Sequence, residues 1–156
     1  MTAKQYLGKV HHMRRQCERL ERKLQLMWTK AEGLRAMTYD HEKVKTSPTN
    51  MLEEAAVEMA RIEGRYRSMI EAYARAIDLR TKQIQALENP TYAEILMMRY
   101  IEERDRPDRS GGWQMSLEEI AKEMHYSYDH VARLHGQALQ AFQNKYLNND
   151  DKKCQN

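Results

Sequence analysis

Tyr6, Val10, Met13, Cys17, Leu20, Leu24, Met27, Ala31, Leu34 and Thr38 follow one another in alternating steps of four and three, without a slip. A strict repeat of 3.5 residues is a heptad seam, and it commits this stretch to a helix that supercoils left-handedly against a partner helix. From Ala3 to Thr38 that helix is roughly 54 Å long at 1.5 Å per residue. Cys17, Ala31 and Thr38 make the seam a soft one.

Composition points the same way. The 156 residues include only 6 Gly, 3 Pro and 1 Phe, and Ala, Leu, Met, Glu, Lys, Arg and Gln are abundant. Such a chain favours helix and argues against a sandwich or barrel, so the expected fold class is all-α, as one domain or two small ones. Apolar runs are short, as in Ile95-Leu96-Met97-Met98, and residues 1–30 are charged throughout. Neither a membrane span nor a secretory signal is expected. Two cysteines, Cys17 and Cys154, form no disulfide framework, and a reducing cytoplasm is the expectation.

The prolines punctuate the pattern. Residues 39–48 read as a connector, with Ser47 as a hydroxyl cap and Pro48 at the first helical position of a second long helix. Its apolar stripe is Leu52, Ala55, Met59, Ile62, Tyr66, Ile70, Tyr73, Ile77, Ile84 and Leu87, where spacings of eleven recur, nearer to a straight helix than to a heptad. Two long helices with a short connector predict an antiparallel hairpin over 1–89, and a period mismatch between them leaves the first helix a surface for a second subunit. Asn89-Pro90 ends the hairpin. A short helix follows over Thr91–Ile101, then a charged loop over residues 102–115 containing Pro107 and Gly111-Gly112.

Ser116-Leu117-Glu118-Glu119 is a capping box, opening a helix to Met124. His125-Tyr126 is a turn, and Ser127 caps a last helix from Tyr128 to about Tyr146. Leu117, Ile120, Ala121 and Met124 give the inner face of one helix, and Val131, Leu134, Ala138 and Phe142 that of the other. A small residue such as Ala121 lets two helices cross steeply, as a helix-turn-helix requires. The domains expected are 1–89, 90–147 and a frayed tail over 148–156, with the 90–146 part folding alone.

Leu96-Met97-Met98-Arg99-Tyr100, Ser116-Leu117-Glu118-Glu119-Ile120-Ala121-Lys122-Glu123-Met124 and Ser127-Tyr128-Asp129-His130-Val131-Ala132-Arg133-Leu134-His135-Gly136-Gln137-Ala138-Leu139 together resemble the fourth region of bacterial primary sigma factors, over about residues 90–143. With a helical hairpin in front, and a start of Met1-Thr2-Ala3-Lys4-Gln5-Tyr6-Leu7, the chain resembles phage and prophage transcriptional regulators of the autolysin-regulator type. The resemblance implies a DNA-binding regulator of phage genes in the cytoplasm of a bacterial host. It implies base-edge or nearby contacts at Tyr128, Asp129, Ala132 and Arg133. Physically, Arg133 suits a bidentate pair with guanine, Asp129 an amino group of cytosine, and Ala132 a thymine methyl. Ser127 opens the reading helix, and Tyr128, His130, His135 and Gln137 suit phosphate contacts.

Charge qualifies the partner. Residues 1–50 hold 11 Lys/Arg against 5 Asp/Glu, whereas residues 90–156 hold 9 against 11. Phosphate neutralisation dominates DNA affinity, so one near-neutral recognition helix is weak, and a homodimer or help from RNA polymerase is expected. Two other readings stay open: a module that docks on RNA polymerase or another protein without reading DNA, and a phage DNA-packaging component. His125, His130 and His135 are five apart, the wrong interval for metal pairs on a helix. No phosphate loop, nucleophile elbow or paired carboxylates occur, so neither an enzyme, a cofactor nor a metal is expected.

Overall fold

The computed structural model describes residues 1–40, 48–102 and 114–148, with the side chains of 34–40 and 48–52 left aside. It is all-α: α1 (Ala3–Asp40), α2 (Pro48–Gln85), α3 (Pro90–Tyr100), α4 (Leu117–Glu123) and α5 (Tyr128–Phe142), the last running into a π-helical turn over Gln143–Leu147. No strand occurs among the described residues, and no described helix is long and apolar enough to cross a membrane. The expected connector, its Ser47 cap, most of the 102–115 loop and residues 149–156 lie outside the described residues.

The chain divides into two compact units, one of Met1–His12 with Ala74–Asn156 and the other of Met13–Tyr73. This division cuts across both long helices, where the sequence suggested a boundary at Pro90.

In the unit of Met13–Tyr73, seam and burial agree on α1. Cys17 is buried, and Met13, Leu20, Leu24, Met27 and Ala31 are half-buried, whereas Arg15, Arg19, Arg22 and Lys23 are exposed. Lys23 Nζ lies 3.7 Å from Glu58 Oε1, while Tyr66, further along α2, feels Cys17 and Glu21. Rising numbers on α1 thus meet falling numbers on α2, the order of antiparallel neighbours. On α2 the inward positions are Ala55, Met59, Ile62, Tyr66, Met69 and Tyr73, again in steps of four and three. Ile70, expected in the stripe, is 38% exposed, and Met69 takes its place. The unbranched Met side chain adapts to the hole that the heptad register offers. The period mismatch expected from the sequence therefore disappears over this stretch.

The other unit has two adjoining cores. Ala3 and Leu7 of α1, Ile84 at the end of α2, Leu87, Leu96 and Tyr100 of α3, and Ala138 and Phe142 of α5 form the larger cluster. Ile95, Met115, Ile120, Ala121 and Val131 form the second, with Met98, Leu117, Met124 and Leu134 against it. Polar contacts also tie the turn after α5 to the start of α1 and to the end of α2. Gln143 Oε1 accepts from the Ala3 amide, and Lys145 Nζ donates to the Ala86 carbonyl at 2.6 Å. The π turn places Gln143 there: the Asn148 amide reaches back five residues to the Gln143 carbonyl at 3.0 Å.

Arg80 is the buried charge among the described residues of this unit, 7% exposed. Its guanidinium lies over the Tyr6 ring, 4.3 Å from the centroid. Nε donates to the Tyr6 carbonyl at 3.2 Å and Nη1 to the Ala76 carbonyl at 3.0 Å. Burial lowers its pKa, but an arginine keeps its proton, so ring face and carbonyls replace water.

Candidate nucleic-acid interface

Local chemistry sets the α4–α5 geometry. Ser116 Oγ accepts from the Glu119 amide at 3.1 Å and Glu119 Oε2 accepts from the Ser116 amide at 2.7 Å, a complete capping box. At the other end of α4 the His125 amide donates to Lys122 O at 3.3 Å and the Tyr126 amide to Ala121 O at 2.9 Å. These two bonds make a Schellman motif, which needs a left-handed residue between them, and His125 supplies it with φ 56°. Ser127 Oγ then accepts from the His130 amide at 3.3 Å and starts α5. Four residues, Met124 to Ser127, thus separate two capped helices. Ala121, 4% exposed, lies at their contact with Val131 and Ile120.

The positions expected to meet DNA fall into two groups. Ser127, Tyr128, Asp129 and Arg133 are exposed at the start of α5, and His130 and Ala132 are half-buried beside them. Tyr126 is 45% and Tyr128 51% exposed, so two large rings stand in solvent at this end. The Tyr126 ring meets the His130 ring edge-on, with centroids 5.0 Å apart at 82°. Arg133 Nη2 donates to His130 Nδ1 at 3.0 Å.

His135 and Gln137 engage α3 instead. His135 stacks on Tyr100, and burial, with the positive charges of Arg99 and Lys4 adding to it, lowers its pKa to about 4. A ring held neutral brings no positive charge to a phosphate, and its Nε2 already meets the Tyr100 hydroxyl at 3.2 Å. Gln137 Oε1 accepts from the Tyr92 hydroxyl at 3.1 Å. Tyr126, absent from the set expected on sequence grounds, joins the first group instead. Its aromatic type next to a capped helix start was the available signal.

The exposed charges of α4 and α5 around this end are Glu118, Glu123 and Asp129 against Lys122 and Arg133, three anions to two cations. The described residues contain no group of three or more His, Cys, Asp and Glu side chains arranged to hold a metal ion. A comparison with known protein families, with curated proteins and with solved structures finds no match for this chain.

Proposed function

We propose that the chain is a DNA-binding transcriptional regulator of phage or prophage genes that reads promoter DNA with the first two turns of α5. The observation that carries this reading is the exposed start of a doubly capped pair of helices. There Tyr128, Asp129 and Arg133 project from the outer face, while Val131, Ala138 and Phe142 anchor the inner one. A rigid helix whose polar N-terminal turns are exposed fits the major groove, and the resemblance to sigma region 4 gives it the same task. The face is near-neutral, so binding depends on a second copy or on RNA polymerase at the promoter. Self-association is proposed on this deficit of charge, because the period mismatch is not seen over residues 55–73 and lends it no support there.

Docking on RNA polymerase or another protein without reading DNA is the second reading. The exposed Tyr126 and Tyr128, in a surface with no cationic excess, favour it. A salt titration of binding to duplex DNA separates the two. Groove binding brings phosphate contacts, so affinity falls steeply as salt rises. A flat titration, or no duplex binding at all, favours the protein partner.

A further inference from the structure

We infer that His130 is a positioning residue: it holds the Arg133 guanidinium ready to read a guanine, and it is not a phosphate contact in its own right. The inference rests on the DNA reading above.

The hydrogen bond between them has only one possible sense. A guanidinium has donors and no acceptor, so His130 Nδ1 accepts at 3.0 Å and the imidazole is neutral, with its proton on Nε2. The imidazole is itself bordered by the edge-on Tyr126 ring, while Ser127 Oγ fixes the His130 backbone by accepting from its amide at 3.3 Å. The Tyr126 backbone is in turn tied to α4 by the hydrogen bond that its amide donates to Ala121 O at 2.9 Å. The turn, the cap and the arginine therefore form one chain of contacts.

The choice of partner matters for charge. Asp129 lies one turn before Arg133, yet Arg133 makes no ion pair with it. A carboxylate partner would cancel the charge that a guanine or phosphate needs, whereas a neutral imidazole orients the guanidinium and leaves its charge intact. One N–H of the five is engaged, so Arg133 keeps enough donors for a bidentate contact with O6 and N7 of guanine. Holding the side chain beforehand lowers the rotamer entropy lost on binding.

The test uses the full chain as wild type, Arg133→Ala, His130→Ala and His130→Asn. Each is measured on duplexes that vary every position of the sequence the wild type selects from a random pool. Arg133→Ala loses about tenfold preference at one base pair. His130→Ala loses several-fold preference at the same pair, with the slope of log affinity against log salt unchanged. His130→Asn, whose amide oxygen replaces the Nδ1 acceptor, restores the preference. Wild-type preference at that pair in His130→Ala overturns the inference. So does a salt slope reduced by about one, the mark of a lost phosphate contact. Failure of the DNA reading itself looks different, because then the wild type selects no sequence, and both ideas fall together.

Discussion

Tyr100 and His135 stack with ring centroids 5.9 Å apart and planes inclined at 19°, and the Tyr100 hydroxyl lies 3.2 Å from His135 Nε2. Burial raises the Tyr100 pKa, so the phenol keeps its proton and shares a hydrogen bond with a neutral imidazole. The pair joins α3 to α5 behind the exposed face. Because burial lowers the His135 pKa from 6.5 to about 4, the unfolded chain takes up a proton at this residue before the folded chain does. Its contribution to stability is full above pH 6.5 and is lost as pH falls towards 4. Urea unfolding of wild type and His135→Gln between pH 7.5 and about 4 measures this. The wild type loses more stability over that window than the variant.

His125 occupies the left-handed position of the α4 Schellman motif, where most natural helices place glycine. An L-residue there carries strain of roughly 1 kcal/mol. His125→Gly is expected to raise stability by up to about 1 kcal/mol, and His125→Val to lower it by more than that. Thermal unfolding of the three proteins checks the order Gly above His above Val.

Leu7, fully buried, packs among Ile84, Leu96 and Phe142, so the first turns of α1 belong to the core that supports α5. Leu7→Ala is expected to cost about 2–5 kcal/mol, whereas Leu26→Ala, at a position 64% exposed, changes stability by less than about 0.5 kcal/mol. A fragment of residues 90–146 lacks Ala3, Leu7, Ile84 and Leu87, half of the larger buried cluster. The sequence suggested that such a fragment folds alone. The packing predicts instead a broad, non-cooperative denaturation curve for it.

The all-α class, the seam from Tyr6 to Ala31, the Ser116–Glu119 capping box and the Ser127 cap were legible in the sequence because each is written in residues a few positions apart. Helix period and capping are local physics. Tertiary packing decided the rest. Met69 replaced Ile70 because a facing helix sets which residue fills a hole, and hydrophobicity alone does not. Arg80 entered the core because Tyr6, 74 residues away in sequence, offers a carbonyl and a ring face. His135 turned inward because Tyr100 stands opposite, though its side chain type suggested a phosphate partner. At the candidate site, the grouping of Tyr128, Asp129 and Arg133 followed from helical spacing, while the His130–Arg133 bond needed side-chain positions.

Selection of bound duplexes from a random DNA pool, by the wild type and by Arg133→Ala in parallel, tests the central claim most directly. The account predicts that the wild type enriches one motif. Arg133→Ala is expected to bind that motif about 1–3 kcal/mol more weakly and to relax preference at a single base pair. A wild-type pool no more enriched than the input, with or without RNA polymerase present, would contradict it.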